Sequence, residues 1–296
     1  MPFMDKLYNR YRNRPSAAPI NAHTVGDVVR HGMHGICFSP YVEGQEPGSE
    51  LSTSQIEARL SIISPHVEWI RSFSCTQGNE LIPGVAKKMG LKTLVGVWID
   101  DDLETNEREL ENAIALGKQG LIDVLAVGNE VLLREDIPES LLIDYIKRAK
   151  EALPTIQVGY VDAYYLFENH PAVANECDVI LANCYPFWEG YSIEHASVYM
   201  RDMYYRAKAV AQHKPVIITE TGWPNQGSDV GHAQPSEDNA KRYFVETYQW
   251  ATATGVDVFY FSSFDEAWKV SDEGDVGAFW GLWDKDGQPK FWDPEV

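Results

Sequence analysis

The chain has 296 residues, enough for two ordinary domains or for one α/β barrel. At 44% hydrophobic, 23% charged and 12% aromatic it has the composition of a folded globular protein; disorder and collagen-like repeats are excluded, and no apolar run approaches the ~18–20 residues that cross a bilayer. Lys and Arg number 25 against 44 Asp and Glu, a formal charge of −19 that repels phosphate backbones, so neither a nucleic-acid partner nor membrane insertion is expected.

Residues 1–34 carry Lys6, Arg10, Arg12, Arg14 and Arg30 against Asp5 and Asp27, net +3 where the remainder holds −22, and are expected to form an N-terminal extension. They lack the apolar stretch of a signal peptide, so the protein is cytoplasmic or a leader was removed ahead of this numbering. From residue 35 onward eight β-rich apolar runs recur: 35–41, 67–74, 91–99, 123–130, 155–162, 178–185, 214–221 and 256–264. Most are dense in Val, Ile and Leu instead of alternating, as strands buried on both faces should be. The stretches between them have helix grammar. Ser52-Thr53-Ser54-Gln55 suits a capping box, Pro138 suits a first helical turn, and Gly90 and Gly255 suit helix ends.

Eight strands with helical returns predict a closed (β/α)8 barrel, the TIM-barrel architecture, as a single domain over residues 35–296. An open doubly wound sheet is the alternative, but no G-x-G-x-x-G follows any run. Cys37, Cys75, Cys177 and Cys184 have neither metal-site nor disulfide-scaffold spacing and are expected as buried thiols. A Cys177–Cys184 disulfide is disfavoured, because both lie in or beside one extended run whose ends are too far apart.

In such barrels the working residues stand at the C-terminal ends of the strands. The fourth run ends in Asn129-Glu130 and the seventh reaches Glu220. A carboxylate at the end of a buried strand is costly unless paired or used, and strands four and seven lie nearly opposite on an eight-strand ring. Two carboxylates across a cleft suit glycosidic cleavage, in which one protonates the departing oxygen and the other attacks the anomeric carbon or activates a water. Around them, Tyr41 ends the first run, Arg71 lies in the second half of the second, and Tyr185 ends the sixth. Trp188, Trp223 and Trp268 follow runs six, seven and eight, so three aromatic faces on one rim point to a sugar ligand.

Val127-Gly128-Asn129-Glu130, Asn183-Cys184-Tyr185-Pro186-Phe187-Trp188 and Thr219-Glu220-Thr221-Gly222-Trp223-Pro224 together resemble glycoside hydrolase family 17, the β-1,3-glucanases and β-1,3-glucanosyltransferases, from about Gly35 to Trp292. The resemblance implies that Glu130 is the acid/base and Glu220 the nucleophile of a retaining mechanism. It also implies that Asn129 holds the sugar 2-hydroxyl and that Tyr185 and Arg71 lie near the nucleophile. Asp265-Glu266-Ala267-Trp268-Lys269 looks like the bacterial version of the family's Glu and Lys three positions apart, which adds Glu266 and Lys269 to the substrate-binding set. The acidic insert Asp272, Glu273 and Asp275 departs from the plant pattern and receives no single role. The substrate implied is β-1,3-glucan, with no cofactor or metal and a monomeric protein, secreted or periplasmic if a leader was removed.

Other motifs point elsewhere. His31 and His34 lack the H-x-H or H-E-x-x-H spacing of a zinc site and are expected to be solvated or capping. Asp100, Asp101 and Asp102 are expected to cap the next helix. No Lys ends run six and no G-x-S-x-G occurs, against Schiff-base and serine chemistry. The leading expectation is an internally cleaving β-1,3-glucanase. A β-1,3-glucanosyltransferase with the same covalent intermediate is the alternative, and a non-catalytic glucan-binding barrel comes behind both.

Overall fold

In the computed structural model, which describes residues 24–293, strands β1 (Met33–Cys37), β2 (Val67–Arg71), β3 (Lys92–Val97), β4 (Val124–Asn129), β5 (Gln157–Ala163), β6 (Val179–Asn183), β7 (Val216–Thr221) and β8 (Val258–Tyr260) pair in sequence order and close on themselves as a parallel barrel. The predicted single-domain (β/α)8 barrel is the fold observed, and the open-sheet alternative is excluded by the β1–β8 pairing of Gly35 with Phe259 and Ile36 with Tyr260. Every residue of β6 and β7 is buried, because helices cover the outside while side chains of neighbouring strands fill the inside.

The helices follow their local signals. Asp102 caps Leu103–Lys118, accepting from the amides of Glu104 (3.1 Å) and Thr105 (3.2 Å). Ser52 caps Thr53–Ile63, but the expected capping box is incomplete: the Gln55 side chain donates to the Pro40 carbonyl at 2.9 Å instead of turning back. Gly255 ends Glu237–Thr254 in the left-handed conformation. The Leu103–Lys118 helix also braces the rim. Buried Glu109 accepts from Cys75 N (2.7 Å), Trp98 N (3.1 Å) and Thr76 Oγ1 (2.6 Å), fastening the exits of β2 and β3 together.

Two expectations are corrected at the opposite end. Most of the proposed extension, residues 1–23, lies outside the described residues, but Val25–His31 is a helix whose Val25 and Val29 are buried in the barrel's own core, and β1 starts at Met33, ahead of residue 35. His34 is only partly solvated, its side chain 21% exposed. It stacks on Trp69 at 5.6 Å and meets Asp257 at 3.3 Å beneath the barrel, because β1 begins inside the core, while His31 is exposed in the last turn of its helix. All four cysteines are buried thiols, as expected. No helix among the described residues is long and apolar enough to cross a membrane.

Candidate active site

The register of the barrel breaks where the site residues stand. Pairing shifts between Ala126 and Asn129 on β4, between Ala182 and Asn183 on β6, and between Ile218 and Thr221 on β7. Such irregularities re-aim side chains that a regular strand would point into its neighbours. At β4 the chain turns through Gly128 (φ 87°), where a Cβ would lie 2.9 Å from Val131 and 3.2 Å from the Tyr160 ring. Glu130 itself is left-handed (φ 53°), an uncommon state for a non-glycine residue that directs it out of the strand toward the barrel mouth.

Glu130 and Glu220 line one cleft of about 490 Å³ at the C-terminal mouth, together with Asn183, Tyr185, Trp188 and Phe261. Their environments differ. Glu220 is held by a cation and a phenol: Arg71 Nη1 donates to Oε1 at 2.6 Å and Tyr185 OH to Oε2 at 2.8 Å. Arg71, 1% exposed, spans the mouth from β2, and its Nη2 donates to Asn129 Oδ1 at 2.6 Å, which orients that amide. Glu130 instead accepts from the neutral amide of Asn183 at 2.8 Å. Burial first, and the charge of Glu220 second, raise the Glu130 carboxyl to about 7, against Asn183 and Arg134. Burial and Glu220 likewise push the Tyr185 phenol well above its ordinary value, so it remains a donor.

Of the residues expected to bind substrate, Tyr185 and Trp188 line this cleft, and Trp188 is 38% exposed. Tyr41, Glu266 and Trp268 line a second cavity of about 350 Å³. Arg71 and Lys269 support the walls from behind, while Asn129 stands half-buried at the end of β4 beside Glu130: Lys269 is buried, with Nζ 2.5 Å from Glu266 Oε2 and 4.1 Å above the centre of the Phe261 ring. Trp223 is the correction. It is 1% exposed, wedged between Phe187 and Tyr243 with its indole N–H on the Gln234 carbonyl at 3.0 Å, so the exit of β7 buries the ring that the rim rule had placed outside.

Several lining residues escaped the sequence reading. Asn183 opens the Asn183–Trp188 motif, which by itself assigns it no role. Tyr164 and Tyr165 follow the fifth run after Ala163 and were open to the same strand-end rule. Asp272 and Glu273 of the acidic insert also reach the cleft, and burial raises Glu273 to about 7 while Lys269 opposes it. They stand on a single helical turn, Val270–Glu273, too short for any periodicity to report. Among the described residues no group of three His, Cys, Asp or Glu is placed to hold a metal ion.

A parallel barrel with two strand-end carboxylates in unlike surroundings, facing one aromatic cleft, defines the class of barrel glycoside hydrolases. The chain belongs to the BtgE/BtgC glycoside hydrolase family, whose domain matches residues 35–281, and the resemblance to glycoside hydrolase family 17 is borne out. It is 29% identical over 259 residues to a glucan 1,3-beta-glucosidase of Arthroderma benhamiae, covering 80% of this chain and 83% of that one. It is 29% identical over 260 residues to a glucan 1,3-beta-glucosidase of Saccharomyces cerevisiae, at 79% and 83%. The crystal structure of the family 17 beta-1,3-glucanosyltransferase from Rhizomucor miehei superposes with a TM-score of 0.79 at 28% identity, covering 88% of this chain and 96% of that one.

Proposed function

We propose that this protein is a β-1,3-glucan-active glycoside hydrolase that works within the chain by double displacement, with Glu220 as nucleophile and Glu130 as acid and then base. The observation that carries the reading is the split between the two carboxyls: one is ion-paired and doubly hydrogen-bonded, the other buried and raised to about 7. In the first step Glu220 attacks the anomeric carbon and the glycosidic bond breaks as Glu130 gives its proton to the leaving oxygen. In the second, the Glu130 carboxylate takes a proton from an incoming hydroxyl that displaces Glu220. Asn129, oriented by Arg71, is suited to receive the 2-hydroxyl. The substrate assignment is supported by the glucan 1,3-beta-glucosidase relatives.

The incoming hydroxyl belongs to water in a hydrolase and to a second sugar in a transferase. The half-exposed Trp188 in the cleft, and the likeness to the Rhizomucor miehei glucanosyltransferase, favour a share of transfer. The test is product analysis on linear β-1,3-glucan oligosaccharides with the anomeric configuration followed by NMR. Shorter products released first as the β-anomer support the reading, and longer products add transfer. First release of the α-anomer would overturn retention, and release of terminal glucose alone would overturn internal cleavage.

A further inference from the structure

Behind the cleft wall, on β5, Asp162 is a carboxylate with no solvent exposure. Taking such a group out of water is costly, and its bonding partners are neutral: Tyr160 OH donates to Oδ2 and Ala163 N to Oδ1 at 2.7 Å. The same Tyr160 oxygen accepts from Leu132 N at 2.9 Å. These contacts converge on the turn Val131–Arg134, directly after Glu130, whose own amide donates to Val161 O at 2.8 Å. Thus the left-handed backbone of Glu130 is clasped from β5 on both sides of the residue.

We propose that Asp162 is the positioning residue for the proton donor: through Tyr160, whose oxygen accepts from the Leu132 amide, it fixes the turn that aims Glu130 into the cleft. The inference rests on Glu130 being that donor. A side chain in a strained backbone state holds its direction only if the surroundings over-determine it, and the Asp162–Tyr160 pair is the part of those surroundings that does not touch the cleft. Its charge acts in the same sense. The groups facing Glu130 are Glu220 from β7, Asn183 from β6, Asp162, Tyr160 and Tyr165 from β5 and its exit, and Arg134 from the turn; Glu220 and Asp162 favour the protonated acid, while Asn183 and Arg134 oppose it.

The experiment compares kcat/KM, which reports the bond-breaking step, on two substrates: a β-1,3-glucan oligosaccharide, whose leaving group needs a proton, and a dinitrophenyl β-laminaribioside, whose leaving group does not. Asp162→Asn and Tyr160→Phe are each expected to lose about 100-fold on the oligosaccharide and within about 10-fold on the aryl glycoside, the size of effect that a small misplacement of a catalytic group produces. Asp162→Asn, which removes the charge, also moves the alkaline limb of the pH profile to lower pH, whereas Tyr160→Phe, which keeps it, moves it less. Thermal melts establish that each variant is folded, and Tyr160→Phe carries the comparison if Asp162→Asn is not. Glu130→Gln, run alongside, separates the two ideas. If it fails to show the leaving-group split, Glu130 is not the proton donor; if it shows the split while the folded β5 variants lose equally on both substrates or on neither, the positioning role is overturned.

Discussion

Glu220 and Glu130 share one cleft and one side-chain chemistry, yet the barrel treats them oppositely. Glu220 receives a guanidinium at 2.6 Å and a phenol at 2.8 Å, whereas Glu130 receives one neutral amide and faces the negative charges of Glu220 and Asp162. The difference shows how one scaffold gives a single residue type two environments, through what the neighbouring strands place beside each carboxyl. Arg71 comes from β2 and Asn183 from β6, so the division is a property of the whole ring and not of either strand end alone.

The largest expected effect follows from removing the ion-paired member. Glu220→Ala is expected to lower kcat by roughly 10⁴-fold or more, as loss of a nucleophile does, and azide is expected to restore turnover with formation of the α-glycosyl azide. Azide acting on Glu130→Ala gives the β-azide instead, since the covalent intermediate then still forms. The opposite pairing of variants and products, read by NMR, would exchange the two roles.

Next in size is the support of Glu220. Arg71→Met leaves a nearly buried carboxylate without its cation, so a loss of about 3–5 kcal/mol in unfolding free energy is expected. Adding Glu220→Gln to that variant should recover much of the loss, because the uncompensated charge is then gone. Denaturant unfolding of the two single variants and the double one checks this, and strict additivity would show that the pair is not coupled.

Glu130 should behave in the reverse way. Its carboxyl binds a proton more tightly in the fold than in the unfolded chain, so its contribution to stability is full below the ordinary carboxylate range and is lost as pH rises through about 7. Glu130→Gln, neutral at every pH, is therefore expected to raise the melting temperature at pH 8 relative to wild type and to do so much less at pH 5. The alkaline limb of wild-type kcat/KM should fall in the same range, near 7. A stability gain independent of pH would show that Glu130 is not held protonated by its surroundings.

The two carboxylates were legible in the sequence because strand ends are: a dense apolar run ending in Glu has few places to go in a parallel barrel, and eight such runs fix which ends share a rim. Arg71 and Tyr185 were legible for the same reason. What surrounds them was less so. The left-handed turn at Glu130 and the register breaks on β4, β6 and β7 come from packing between strands, as with Gly128 against Val131 and Tyr160, and no single run reports them. Asp162 ended the fifth run in plain sight, but a strand-end rule cannot tell a carboxylate facing the mouth from one turned back under Tyr160.

The three rim tryptophans show the same limit and give the smallest expected effect. Trp188 and Trp223 both flank Phe187, at 5.4 and 5.2 Å between ring centres, but Trp188 opens onto the cleft at 38% exposure while Trp223 is sealed at 1%. Trp188 also rests on Trp280 at 5.4 Å, so part of its surface is packing and part is free to meet a sugar. An exposed indole just beyond Tyr185 is expected to hold an acceptor on the leaving-group side while the covalent intermediate waits. Trp188→Ala should then weaken binding of long oligosaccharides by about 1–2 kcal/mol and lower the ratio of transfer to hydrolysis more than the rate of intermediate formation. Trp223→Ala, which empties a core site, should cost about 3–5 kcal/mol of stability and leave that ratio unchanged. Product ratios and melting temperatures measured on both variants decide between platform and packing: a Trp188→Ala protein with a lowered melting point and an unaltered ratio would place Trp188 with Trp223, as a support of the loop and not a surface for the glucan.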